Sequence, residues 1–197
     1  MPKQPLSFRF GFLTTSLVLT SLLGCTSGEN NQGFTLSPSS PQVEVGEQLS
    51  ITAHPMEDVS QEPEWEIQEL HGGGFLNSQG LHVTYVAPPS AGRYHLILRS
   101  TRPDGTKIKT VEEIVVVPSP QVEPSNTHVS PGGTATFTVK IKGLPKNTVV
   151  WSVQESEGGS INADGLYTAP ARAGVYHVVA TSTLDKDVSA TATVRVD

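Results

Sequence analysis

Apolar residues along most of this chain recur at every second position. In "TATFTVKI", Ala135, Phe137, Val139 and Ile141 fall on one side, with threonines and Lys140 between them. "VSATATVRV" does the same with Ala190, Ala192, Val194 and Val196. A period of two sends alternate side chains to opposite faces of an extended chain, which predicts half-buried β-strands; no segment carries a convincing helical period. Pro and Gly punctuate the strands at "SPGG", "KGLPKN", "NADG" and "LDKD" late in the chain and at "RPDG" earlier, where they supply turn backbone angles. Roughly six or seven short strands in about 80 residues, with frequent turns, predict an all-β fold of the sandwich class.

The pattern is spelled twice. "VTYVAPPSAGRYHLILRS" is answered by "GLYTAPARAGVYHVVATS", and Pro38, Gly46 and Trp65 recur as Pro124, Gly132 and Trp151 at a constant offset of 86. Beyond the tryptophans the offset shrinks: Gly80 is matched by Gly165, Ala87-Pro88 by Ala169-Pro170, and Tyr94 by Tyr176. Turns therefore differ in length while strands stay in phase. The expected units are residues 34–117 and 121–197, joined by the short, stiff "PSP" of residues 118–120.

The N-terminus follows a different rule. "MPKQPLSFRF" carries Lys3 and Arg9 without an acid, and "GFLTTSLVLTSLL" is an apolar run too short to span a bilayer comfortably. The "LLGC" that ends it resembles the lipobox of bacterial lipoproteins: an aliphatic residue three before the cysteine, a small residue just before it, then Cys25. The resemblance implies a signal peptide over residues 1–24 and a lipid on Cys25, which would anchor the chain in a membrane. Cys25 is the sole cysteine and has no disulfide partner to claim it. Acyl chains add about 0.8 kcal/mol of membrane affinity per buried methylene, so several on one residue anchor durably. Thr26 stands where inner-membrane lipoproteins of that family often carry Asp, which implies the outer membrane of a two-membrane envelope. Residues 25–33, rich in Ser, Asn and Gly, read as a lipidated tether.

Charge narrows the partners. Thirteen Lys and Arg against nineteen Asp and Glu give a net −6, and no basic cluster occurs anywhere, so nucleic acid is not an expected partner.

Both units also resemble bacterial immunoglobulin-like domains, which carry a tryptophan strand, a "GG" turn, a "G-x-Y-x-A-P" segment and a closing alternating strand. The second unit matches nearly throughout; the first has "GLHVTYVAP" where the second has "GLYTAP". The resemblance implies two tandem immunoglobulin-like sandwiches, with Trp65 and Trp151 in the cores and Tyr94 and Tyr176 tying a corner through their hydroxyls. It implies fold more firmly than function.

Several motifs admit a rival chemistry. "HGGG", residues 71–74, is similar to an esterase oxyanion loop, but there is no G-x-S-x-G elbow, and "GG" recurs at Gly158 and Gly159 without a histidine, so a glycine turn is expected. His95 and His177 follow the corner tyrosines and are expected on an outer sheet face; no zinc-ligand spacing is present. Asp185 with Asp187, or Glu155 with Glu157, could contribute oxygens to a calcium site, although exposed acidic turns are the commoner meaning of such pairs. Tyr85 and Tyr167 are the aromatics that the pattern leaves unplaced.

The expectation is a membrane-anchored, non-enzymatic lipoprotein without a cofactor. It would serve as an interaction or structural module in a cell-envelope or cell-surface assembly, of the kind used in adhesion or motility, with a protein partner; a glycan-binding accessory is the alternative. The closing strand of the second unit, residues 188–196, is expected to be an exposed edge guarded only by Arg195, whereas "KIKTVEEIVVV" in the first unit carries two lysines and two glutamates. Docking is therefore expected on the second unit.

Overall fold

The computed structural model describes residues 33–197. The expected signal peptide, Cys25 and nearly all of the tether lie outside the described residues.

The first unit opens with β1 (Phe34–Ser37), β2 (Gln42–Glu44), β3 (Gln48–Pro55) and β4 (Glu64–Ile67). It continues with β5 (Gly74–Gln79), β6 (His82–Val86), β7 (Gly92–Thr101) and β8 (Lys107–Val117). One sheet runs β1-β3-β6-β5 and the facing one β2-β8-β7-β4. All pairings are antiparallel except β2 with β8, because the opening strand leaves the first sheet at Pro38 and joins the second beside the closing strand. Alternating residues of both layers, among them Phe34, Ile51, Tyr85, Leu96, Leu98 and Ile114, close a shared core. This is the layering of an immunoglobulin-like sandwich.

The second unit repeats it with β9 (Ser119–Glu123), β10 (Asn126–Val129), β11 (Thr134–Thr136), β12 (Thr138–Lys142) and β13 (Val149–Val153). Then follow β14 (Ser160–Ile161), β15 (Leu166–Thr168), β16 (Gly174–Ser182) and β17 (Ser189–Val196). The sheet β10-β17-β16-β13 matches β2-β8-β7-β4 element for element. Its core contains Phe137, Tyr167, Val178, Ala192 and Val194. The chain is all-β over the described residues, two immunoglobulin-like sandwiches in tandem.

Two expectations are corrected. "TATFTVKI" is not one strand: it breaks at Phe137, with β11 pairing to β15 and β12 to β9. Phe137 is 1% exposed, and its backbone N–H is taken by the Gly165 carbonyl as the chain passes from one neighbour to the other. Nor is β17 an edge along its whole length. β16 covers one side throughout, and β10 covers the other side from Thr193 to Val196, which leaves only the segment Ser189 to Ala192 open.

The cores exchange two side chains between repeats. Ile51 and Phe75 in the first unit stand where Phe137 and Ile161 stand in the second, each 86 residues on. In the first, Phe75 packs edge-on between Trp65 and Tyr85, with ring centroids 6.4 Å apart in both cases. In the second, Phe137 fills that place, 6.5 Å from Trp151 and 6.3 Å from Tyr167. One phenylalanine and one isoleucine fill the same space from opposite strands, so total volume is kept.

Candidate functional site

The duplicated residues converge on one structure in each unit. After β4 the chain turns through Glu69 to Gly73, and after β13 through Glu155 to Gly159, with the Gly72 and Gly158 N–H groups donating to the carbonyls of Glu69 and Glu155 at 3.0 Å. Tyr85, 0% exposed, donates its hydroxyl to the Gly72 carbonyl at 2.5 Å, and Tyr167 donates to Gly158 at 2.6 Å. Gly73 and Gly159 follow with φ of +102° and +91°, and a Cβ there would lie 2.3 Å from the Val86 carbonyl oxygen or 2.2 Å from that of Thr168. Only glycine allows this approach. Burial, with the nearby Tyr94 and Glu69, pushes the Tyr85 hydroxyl above its usual range; Tyr167 is raised likewise, by burial and then by Tyr176 and Glu155. Both hydroxyls therefore stay protonated as donors.

Tyr94 donates to the Ser90 carbonyl at 2.9 Å and Tyr176 to that of Arg172 at 3.0 Å, each four residues upstream. Trp65 and Trp151 pack half-buried against the two cores, and Trp65 Nε1 donates to the Gly80 carbonyl at 3.0 Å. Tyr85 and Tyr167, which the sequence pattern left unplaced, are instead fully buried, as is Phe137.

His95 and His177 lie on the outer sheet face as expected, opposite the core-facing Tyr94, Leu96, Tyr176 and Val178, but there they are half-buried and clamped. The Glu69 carboxylate accepts the His95 backbone N–H at 2.9 Å and meets its Nδ1 at 2.6 Å; Glu155 binds His177 at 2.8 and 2.6 Å. An ionised carboxylate only accepts, so Nδ1 carries the proton. Partial burial raises each carboxyl, but the bonds from the histidine ring and backbone N–H outweigh it and hold Glu69 and Glu155 below their ordinary value. The clamp completes the last rung of the β4–β7 and β13–β16 ladders, where the Gln68 and Gln154 N–H groups bond to the His95 and His177 carbonyls. In "HGGG" the Gly72 N–H is consumed by the turn itself.

Asp185 Oδ1 accepts the Asp187 N–H at 3.0 Å, which fixes the "LDKD" turn. Among the described residues no group of three or more His, Cys, Asp or Glu is placed to hold a metal ion.

A larger concavity lies elsewhere, where the units meet: a groove of about 890 Å³ between residues 117–118, β9 and the start of β17. Val117, Pro118, Pro120 and Val122 line it together with Ser189, Ala190 and Thr191 of β17. Carboxylates come from both units, Glu44 from β2 and Glu123, Asp185 and Asp187 from the second, and no Lys, Arg or His lines the groove. Sequence reasoning pointed to β17 and to the acidic turn separately. Their juxtaposition with Glu44 and Glu123 had no local signal.

No protein-family model and no curated protein matches the chain. Among solved structures it is similar to the insect immune protein hemolin at 18% identity, with a TM-score of 0.44, over 80% of this chain and 44% of that one. It is also similar to a C-terminal fragment of intimin in complex with the intimin-binding domain of its translocated receptor, at 13% identity, TM-score 0.40, over 82% and 62%. A third is invasin, a bacterial integrin-binding protein, at 13% identity, TM-score 0.36, over 84% and 38%. The chain spans less than half the length of the hemolin and invasin structures.

Proposed function

We propose that the protein is a lipid-anchored, non-enzymatic interaction module of a cell envelope or cell surface, holding a protein partner through its second sandwich. The observation that carries this reading is the groove beside β17, where a short strand edge faces solvent among four carboxylates. The histidine–carboxylate pairs, the feature closest to catalytic chemistry, support it as well. They recur at equivalent points of both repeats, and each carboxylate also binds backbone, as a structural clamp requires. A protein partner is favoured over a glycan because the aromatic rings pack on one another; none of the exposed large hydrophobic residues among those described is aromatic.

Anchoring is tested by detergent phase partitioning of the full chain and of Cys25→Ala. The wild type should enter the detergent phase and the variant should accumulate as an uncleaved or mislocalised precursor. Wild type that stays aqueous overturns the lipid anchor. The module itself is tested by surface crosslinking in intact cells, with and without residues 121–197. Crosslinks should vanish with the deletion while the shortened chain stays anchored, and an unrelated sandwich of equal length should not restore them.

A further inference from the structure

We infer that the open start of β17 is a docking edge for an extended, basic segment of the partner protein, which adds to the sheet as a short strand. The inference rests on the interaction-module reading and names the surface and chemistry of contact.

The hydrogen-bond phase of β17 sets the direction of its free groups. Ser182 N–H donates to the Val188 carbonyl, and Thr193 N–H donates across the other side to Ser125. Antiparallel ladders alternate, so Ser189 and Thr191 direct N–H and C=O away from β16, as Thr193 does. From Thr193 onward these outward groups meet β10. At Ser189 and Thr191 no backbone bond from the described residues reaches them, and they face the groove. The vacant place lies in line with β10, on an edge that already accepts a strand a few residues further along.

The first unit differs beside this edge. There the Thr110 hydroxyl accepts the N–H groups of Gly33 and Phe34, both at 3.2 Å, which ties the opening strand against β8. The equivalent of Thr110 is Ala190, four residues before the partner of the corner tyrosine in each unit, and the equivalent of Phe34 is Pro120. Alanine offers no acceptor and proline no donor. The same edge in the first unit also bears Lys107, Lys109, Glu112 and Glu113, with Glu113 paired to Arg93. In the second unit β9 still runs close beside β17, but the hydroxyl tie is missing and the open segment itself, Ser189 to Ala192, carries no charged side chain.

Charge selects the occupant. Glu44, Glu123, Asp185 and Asp187 line the same groove as the edge without a lining cation, so a strand placing Lys or Arg on alternate residues enters a field of carboxylates. Backbone pairing would supply affinity and the carboxylates specificity and on-rate.

The test uses the full chain in detergent, labelled for amide NMR, with a short synthetic peptide alternating lysine and threonine as the probe and its glutamate counterpart as control. The lysine peptide should shift the Ser189 and Thr191 amides and slow their exchange, and the glutamate peptide should not. Thr191→Pro removes the outward N–H without touching the β16 ladder and should abolish the response. If that variant melts below wild type, the triple reversal E44K/E123K/D187K takes its place and should weaken binding by about tenfold or more, with steep salt dependence. No shift at Ser189 and Thr191, or binding that survives both variants, overturns the docking edge. Surface crosslinking of the anchored Thr191→Pro chain separates the two readings. Crosslinks retained in the variant overturn this edge and leave the module standing, whereas no crosslinks from wild type overturn the module.

Discussion

Glu69 holds His95 at two points, one carboxylate oxygen on the backbone N–H at 2.9 Å and the other on ring Nδ1 at 2.6 Å. Glu155 holds His177 in the same way. Because the bonds favour the ionised carboxylate, each folded value lies below the ordinary 4.5. A depressed folded value contributes stability that is complete above the unfolded value and is lost as pH falls through the folded one. Thermal unfolding followed from pH 7 to 3 should show a fall in melting temperature beginning near the ordinary carboxylate range. In E69Q/E155Q that fall should be shallower, and the neutral-pH melting temperature lower. Parallel pH profiles for the two proteins would show that the clamps contribute nothing to acid sensitivity.

The buried tyrosines should cost more to alter than the corner tyrosines. Tyr85→Phe or Tyr167→Phe leaves a buried glycine carbonyl without its donor, a loss of about 1 to 3 kcal/mol. At Tyr94 and Tyr176 the accepting carbonyls belong to the exposed Ser90 and Arg172, where water can replace the hydroxyl, and the loss should be about 1 kcal/mol or less. Denaturant unfolding of the four single variants checks the order, and equal losses at all four would contradict it.

The exchange of Ile and Phe between the cores predicts a coupled pair. Ile51→Phe alone overpacks the first core, at a cost of about 1 to 3 kcal/mol, and Phe75→Ile alone leaves space beside Trp65 and Tyr85. I51F/F75I copies the arrangement of the second unit and should recover to within about 1 kcal/mol of wild type. A double-mutant cycle measures this, and simple additivity of the two losses would count against volume exchange.

Gly159 and Gly132 separate clash from backbone strain. Both have positive φ, but a Cβ at Gly159 would lie 2.2 Å from the Thr168 carbonyl oxygen, whereas one at Gly132 meets nothing within 4 Å. Gly132→Ala should cost about 1 to 2 kcal/mol for its left-handed backbone alone, and Gly159→Ala clearly more, because the turn must move off β15. Similar melting temperatures for the two variants would show that the turn yields freely.

Trp151 tests core against platform. It is half-buried against the second core, and Trp151→Ala should cost about 2 to 3 kcal/mol, less than a fully buried tryptophan. An unchanged melting temperature would place its contribution in binding instead.

Much of the fold was legible because its determinants are local. Alternation at Ala190, Ala192, Val194 and Val196 states which face of β17 is covered, and the recurring Trp, Gly, Ala-Pro and Tyr positions state that the unit is used twice. Residue type also marked the turns, since Pro and Gly act through their own backbone angles. The candidate site was only half legible. Carboxylates in "LDKD" and a lightly charged closing strand can be seen in the letters, but nothing near Glu44 or Glu123 says that they face the same groove.

What the sequence by itself determined is therefore the set of strands, their faces and their duplication. The tertiary structure alone decided which strand edges are satisfied: that β10 covers Thr193 to Val196 and stops, that Phe137 divides one alternating run between two neighbours, and that Tyr85 and Tyr167 reach back to a glycine carbonyl. The physical reason is that side-chain alternation is a property of one strand, readable over a few residues. A backbone hydrogen bond in a sheet belongs to two segments far apart in the chain, and whether it is made depends on where the second one lies.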